Sequence, residues 1–310
     1  MVIVPRTRGN PPLMFKDIRS ATASVVTNAG CHLVQGHRKS IPKTRWGDYL
    51  IHLERFLTAH DRFPKKPYSS FHDTLFHIKV SRQALDPLRV LVSDKEHVKR
   101  YVSESVGEQY NLPPIAVLRT VEEAVGYEYP ERCVIKPTHM SAEIILRKGG
   151  EEIDLGKIAG WFATDYYDLT RERNYKGLTP KVIVEPFAFD QDEPDDYRVF
   201  CFRGKPKMIF FDENNLEIDN FRCVLDVDWR QLPFSLKCGQ RPPPPKPECL
   251  AEMLDVAARL SRPFSFIRVD FYTDGKTFHV GELTNCHAAA MQSFVPRKSE
   301  AFANRYIFGN

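Results

Sequence analysis

Ser265 to Asn285 reads SFIRVDFYTDGKTFHVGELTN. Phe266, Arg268, Asp270 and Tyr272 alternate with Ile267, Val269 and Phe271, the period of two that marks a strand. Asp274-Gly275 supplies a turn. A second strand runs through Phe278, Val280, Glu282 and Thr284. A loop of odd length, such as three residues closed by Gly275, puts Arg268, Asp270, Glu282 and Thr284 on one face; we expect that register. An even loop turns Glu282 to the opposite face. Two carboxylates and an arginine on one face have two explanations. One is a solvated ladder of surface ion pairs. The other is a divalent-metal site with an arginine beside it to hold a phosphoryl group.

The rest of the chain bounds the choice. At 310 residues it can bury one large core or several smaller ones, and 42% apolar and 27% charged residues are ordinary for a globular protein. A net charge of +4 does not by itself call for nucleic acid, and the aromatic residues lie in strand-like runs without a basic stripe, so no nucleic acid is expected as a partner. No run of 18 apolar residues predicts a membrane span, and Met1-Val-Ile-Val-Pro is too short for a signal peptide. Seven cysteines stand singly without a CxxC, which points to a reducing compartment; a cytoplasmic protein is expected. The histidines show no zinc-ligand spacing. Cys286 and His287 are neighbours on an extended segment, so their side chains point apart and make a poor catalytic pair.

Residues 1 to about 45 form a basic arm (Arg6, Arg8, Lys16, Arg19, Arg38, Lys39, Lys43, Arg45), either a solvated terminus or a patch for an anionic substrate. Asp48–Leu57 predicts a helix with Leu50, Leu53, Phe56 and Leu57 inward. Ser93 or Asp94 caps a helix with Val98, Tyr101 and Val102 inward. Ile115–Leu118 reads as a strand, Val121–Val125 as a short helix, and residues 133–147 as two strands around a polar loop. Lys136 ends the first of these, and Ser141 and Ala142 would let loop amides approach a phosphate; a snorkelling surface lysine is the plainer alternative. Lys181–Glu185 is a buried strand, Tyr197–Phe211 a hairpin, and Pro242–Pro245 a rigid connector. Glu248–Arg262 is an amphipathic helix with Leu250, Met253, Leu254, Ala257 and Leu260 on one stripe.

Taken together and in order, several phrases resemble the TupA-like ATP-grasp family, over about residues 70 to 300. They are Lys136-Pro-Thr-His139-Met-Ser141, Asp196-Tyr197-Arg198, Gly204-Lys205-Pro206, Asp228-Trp229, Glu252-Met253-Leu254, Arg268-Val-Asp270-Phe-Tyr272 and Gly281-Glu-Leu-Thr284. The resemblance implies an α+β ATP-grasp fold, two α+β subdomains sandwiching a nucleotide, preceded by a basic, partly helical N-terminal segment. The divisions expected are 1–92 (arm and substrate-side helices), 93–184 (lid subdomain) and 185–310 (metal-bearing subdomain). It further implies ATP and Mg²⁺ as cofactors. Lys95 and Lys136 would hold phosphates, His139 to Ala142 with Ser141 would form the covering loop, and Val184, Glu185, Pro186 and Phe187 would read adenine. Asp196 would take the ribose, Asp270 and Glu282 the Mg²⁺, with Thr284 or Asn285 completing the site. Arg268, with Lys136, would be catalytic at the transferred phosphoryl group. Two features depart from the family pattern: Met140 and Ala142 stand where its loop usually has glycines, and Thr284, followed by Asn285, stands where the wider superfamily usually has Asn.

The activity implied is an ATP-dependent carboxylate–amine ligase working through an acylphosphate, joining an amino acid or other amine to a carboxylate of a sugar, peptide or small natural product. A kinase acting on a small molecule or sugar, and a non-catalytic nucleotide-binding protein, are the alternatives.

Overall fold

A computed structural model describes residues 40–192, 194–212, 222–237 and 239–309. The chain divides into two compact units, Met1–Gly47 and Asp48–Asn310, and both larger sheets with their cores belong to the second. Arg6, Arg8, Lys16, Arg19, Arg38 and Lys39 of the basic arm lie outside the described residues.

Helices α1 (Arg45–His60), α2 (Phe71–Val80), α3 (Pro87–Leu91) and α4 (His97–Ser105) precede the first sheet. That sheet has four antiparallel strands, β1 (Ala116–Leu118), β2 (Cys133–Pro137), β3 (Ile145–Arg147) and β4 (Val182–Glu185), in the order β1-β4-β2-β3. Helices α5 (Val121–Gly126), α6 (Leu155–Ala163) and α7 (Tyr166–Thr170) lie between its strands in sequence. Ile158 and Trp161 of α6 pack with Cys133, Ile135, Val182 and Val184.

The second sheet is antiparallel and five-stranded, built from β5 (Asp195–Phe202), β6 (Lys205–Asp212), β7 (Arg222–Leu225), β8 (Phe266–Thr273) and β9 (Phe278–Thr284), in the order β9-β8-β5-β6-β7. Helix α8 (Leu250–Ser261) covers one face: Leu250, Met253, Ala257 and Leu260 meet Ile267, Val269 and Phe271, together with Val98 and Val102 of α4. Each of these fully buried Leu, Met, Ile, Val and Phe side chains contributes about 1.5–3 kcal/mol. On the other face Phe266 joins Phe200 and Phe210 against Phe71, Leu75 and Ile78 of α2 and Ala303 and Ile307 of a C-terminal helix, α9 (Glu300–Phe308).

The expected α8 stripe is buried except for Leu254, which is half-buried, and Asp94 is buried ahead of α4, where its Oδ1 accepts from the amides of Glu96 at 2.9 Å and His97 at 3.2 Å. Helix α1 differs from its sequence reading. Leu50 is exposed, and the buried positions are Asp48, Ile51, His52 and Phe56. Asp48 accepts from Tyr167 Oη at 3.0 Å and Arg171 Nε at 2.9 Å. A buried carboxylate that lost those partners would cost more than the leucines gain, so the ion pair sets the rotation of the helix.

The hairpin register also differs. Thr273 pairs with Phe278, so the loop has the four residues 274–277. An even loop would have turned Glu282 away, but a bulge at Gly281 shifts the register, and Glu282 pairs with Asp270 and Thr284 with Arg268. The charged residues share a face as expected, through a different device. A Cβ on Gly281 would stand 2.8 Å from Tyr272 Cε2, so only glycine lets that ring lie across the bulge.

Candidate active site

Strand β8 changes character along its length. The face that is apolar at Phe266 becomes charged at Arg268 and Asp270, yet both stay inside, at 8% and 6% exposure. That removes the solvated ladder as an explanation. Arg268 Nε donates to Asp270 Oδ1 at 2.6 Å, and its Nη2 reaches Asp270 Oδ2 and, at 2.8 Å, Glu282 Oε1. Thr284 Oγ1 donates to the same Glu282 oxygen at 2.7 Å. Burial pushes Asp270 up to about 8, with Glu282 and Asp196 adding to it and Arg268 opposing. Burial would raise Glu282 too, but Arg268 and Lys95 hold it at about 2. One guanidinium thus serves two converging carboxylates, a set of hard oxygens of the kind a divalent cation takes, with Asp270 tending to hold its proton and Glu282 ionised.

Asn285 lies next to this pair in sequence, but its amide is engaged elsewhere. Its Oδ1 accepts from Arg89 Nη1 at 2.9 Å, and its Nδ2 donates to Arg89 O at 3.0 Å and Ser93 Oγ at 3.1 Å. Asp196 accepts from Arg198 Nη2 at 2.7 Å, on the strand next to β8.

At the end of the four-stranded sheet, Lys136 and Lys99 converge on Glu185, at 3.0 and 2.6 Å. Burial alone would raise Glu185, but the two ammonium groups bring it to about 2. Burial works against the charge of Lys136, and Glu185 outweighs it. The Lys136 Nζ stands 5.7 Å from the Tyr272 ring centre, so the two sheets meet here. Val184 is spent on the sheet, its carbonyl accepting from Ile115 N at 2.7 Å; Pro186 and Phe187 follow beyond the strand.

Lys95 donates to the carbonyls of Pro137, at 3.2 Å, and Met140, and burial lowers its pKa. Ser141 Oγ lies 2.5 Å from Tyr166 Oη. Met140 is buried in the core of the small sheet, and Ala142 has φ +63°.

A cleft of about 350 Å³ gathers Lys95, Ser141, Arg268, Glu282, Thr284 and Asn285. Lys136, Glu185, Asp196 and Asp270 are not on its wall, Asp270 reaching it only through Arg268, and His139 lines a smaller hollow of about 250 Å³, its Nε2 on Thr164 O at 3.2 Å. Further cleft residues escaped the sequence reading, among them Arg55, Tyr166, Tyr175 and Glu172. Glu172 pairs with Lys79 of α2 at 3.0 Å. Nothing in Thr170-Arg-Glu-Arg-Asn-Tyr175 marks it out; its place is set by long-range ties, Asp48 to Arg171 and Ser93 to Asn174. Lys99 was likewise invisible, because a lysine on a helix reads as a surface charge. Cys286 Sγ lies 3.9 Å from Leu75 O while His287 faces Arg268, so the two neighbours do point apart.

Among the described residues no helix is long and apolar enough to cross a membrane. No curated protein matches the chain. Among solved structures, it is similar to the ATP-grasp ligase PsnB complexed with minimal precursor (11% identity, 64% of this chain and 53% of that one, TM-score 0.35). It is also similar to the D-alanine–D-alanine ligase from Bacillus anthracis complexed with ATP (14%, 63% and 55%, 0.36). A third is the L-amino acid ligase from Bacillus licheniformis (13%, 70% and 49%, 0.41). The chain spans about half the length of these proteins. A family model, TupA-like ATPgrasp, matches residues 77–307, which include both sheets and Lys95, Glu172, Arg268 and Glu282 of the cleft, and the chain therefore belongs to the TupA-like ATP-grasp family.

Proposed function

We propose that the protein is an ATP-dependent ligase that joins a carboxylate to an amine. The observation that carries this reading is the buried Arg268, held between Asp270 and Glu282 at the edge of the cleft. A buried guanidinium beside two carboxylates of opposite protonation tendency is an arrangement for phosphoryl transfer, where positioning and charge neutralisation do most of the work.

In this reading Asp270 and Glu282 would hold Mg²⁺, and Thr284 keeps Glu282 turned toward it. Asn285 is nearby but already carries Arg89, so it would contribute only by exchanging that partner. Bound Mg²⁺ supplies charge neutralisation at the phosphate oxygens. Lys95 and Lys136 would bind phosphates, each giving up a protein acceptor, and Ser141 and His139 belong to the loop over them. Glu185, Pro186 and Phe187, with the end of Val184, would form the adenine side, and Asp196 the ribose side. Residues 93–184 act as the lid and 185–310 as the base, with α1 and α2 shaping the acceptor end through Glu172.

A substrate carboxylate oxygen attacks the terminal phosphorus of ATP, the bond to the bridging oxygen breaks, and ADP leaves with the electron pair. Arg268 stabilises the charge on the transferred group. The amine nitrogen then attacks the acyl carbon, phosphate departs with the C–O electron pair, and the nitrogen loses a proton. The acceptor carboxylate belongs to a small molecule, sugar or peptide, and the amine to an amino acid or similar compound.

Calorimetry of ATP with Mg²⁺ tests the site. Binding by wild type and its loss in Asp270→Asn/Glu282→Gln is the expected result, and a folded wild type that binds nothing refutes it. Phosphate release that requires both an acid and an amine identifies the ligase. A stable phosphorylated product formed without an amine identifies a kinase instead.

A further inference from the structure

We propose that His287 is a positioning residue that fixes the Arg268 guanidinium. The inference rests on the ligase reading, since it is there that Arg268 has a task. His287 is buried, and its Nδ1 lies 2.6 Å from Arg268 Nη1. An arginine can only donate, so Nδ1 presents its lone pair and the ring proton sits on Nε2. That proton points to Gln292 Oε1 at 3.2 Å. The glutamine cannot be turned the other way, because the same Oε1 accepts from Arg222 Nη1 at 3.0 Å. Two arginines at either end thus dictate the tautomer of one histidine. Phe200 and Phe210 box the ring edge-on, both at 85°, so it cannot swing away.

The backbone supports the same purpose. Ala288, Ala289 and Ala290 all have left-handed φ, at +46°, +54° and +61°. Such a run in residues with a Cβ persists only where its surroundings impose it. Lys79 Nζ donates to Ala289 O at 3.0 Å, and His60 Nε2 to Ala290 O at 2.7 Å, so α2 and α1 clamp the turn that delivers the histidine.

The remaining contacts of Arg268 go to carboxylate oxygens, which are the atoms a divalent cation also takes. A ring nitrogen is not a ligand Mg²⁺ competes for. His287 therefore keeps the guanidinium in place when the carboxylates turn to other duties, and Arg268 arrives at the phosphoryl group already oriented.

Nitrogen-15 NMR of the histidine-labelled full chain, without nucleotide, reads the tautomer directly. A bare Nδ1 and a protonated Nε2 at His287 are expected, with the Nε2 signal displaced in Gln292→Leu. A protonated Nδ1 overturns the proposal without any need for a destabilised variant. Kinetics supply the second arm. His287→Leu is expected to lower kcat by about 10–100-fold with a much smaller change in KM for ATP. His287→Asn, whose amide oxygen stands near the Nδ1 position, should recover most of that loss. Equal kcat in the leucine variant and wild type, or in the leucine and asparagine variants, overturns the inference alone. Wild type that binds no Mg²⁺-ATP overturns the ligase reading and this inference with it.

Discussion

The β8–β9 hairpin and the β2–β3 hairpin both bring charge toward the cleft, and they restrain it in opposite ways. On β8–β9, side chains hold side chains: Arg268 is tied to Asp270, Glu282 and His287, between one apolar core under Ile267 and Val269 and another around Phe266. On β2–β3, the one charged group at the connecting loop, Lys95, rests on backbone carbonyls, Pro137 O and Met140 O, beside neutral side-chain bonds from His139 and Ser141, and β3 is half-buried along its whole length. Charged side chains locked to one another in a low-dielectric interior are costly to rearrange. An ammonium resting on neutral carbonyls exchanges them for a phosphate at little cost. The first arrangement suits a group that must be placed in the transition state, and the second suits a cover that opens and closes.

The largest expected effect separates the two directly. On the proposed reading, in which Arg268 is placed for developing charge, Arg268→Ala should lower turnover by about 10²–10³-fold while Mg²⁺-ATP still binds. Lys95→Ala should weaken ATP binding more than it lowers kcat. Kinetics and calorimetry on both variants check this, and identical profiles would erase the distinction.

Next comes the pH response at the junction of the sheets. Glu185 is held at about 2 against its burial by Lys136 and Lys99. A carboxylate depressed in the folded state stabilises fully above its unfolded pKa and loses that contribution as pH falls toward the folded value. Wild type should therefore lose up to about 3 kcal/mol between roughly pH 4.5 and 2 from this group. Glu185→Gln, though less stable at neutral pH because it strands two lysines, should show a flatter decline. Urea midpoints across that window measure the difference, and parallel curves would deny the role.

A smaller effect tests the bulge. Gly281→Ala puts a methyl 2.8 Å from the Tyr272 ring, and the ring must move, at about 1–3 kcal/mol. Chemical denaturation reads the loss. An unchanged midpoint would mean the register does not depend on that close approach.

Much of this was legible in the sequence where one element decides its own pattern. The alternation of β8, the stripe of α8 and the cap at Asp94 are local signals, and they read correctly. The bulge at Gly281 was not legible, because it answers to a tyrosine on the facing strand. Nor was the buried face of α1, which an ion pair from Asp48 to Arg171 fixes across more than a hundred residues. Of the proposed site residues, those on the strand ends fell into or beside the cleft, because a strand fixes its side chains two by two. Glu172 and Tyr175 come from a segment with no regular period of its own, placed by what it is tied to, and no count of spacing could find them.

The loop of the β2–β3 hairpin offers the finest test of the comparison. Ala142 occupies a left-handed conformation, at φ +63°, where the family's loop usually has a glycine, and its side chain is exposed. The Cβ costs about 1–2 kcal/mol in that region, while glycine in its place surrenders about 0.5–1 kcal/mol of unfolded-chain entropy. Ala142→Gly should thus raise stability slightly, by about 1.5 kcal/mol at most. The same change at Ala289, inside the clamped turn behind His287, relieves similar strain but frees a segment that side chains fix on both sides. Thermal midpoints should rise a little for both variants. On the proposed reading turnover should hold for the loop variant and fall for the turn variant, because a cover tolerates freedom that a positioning element does not.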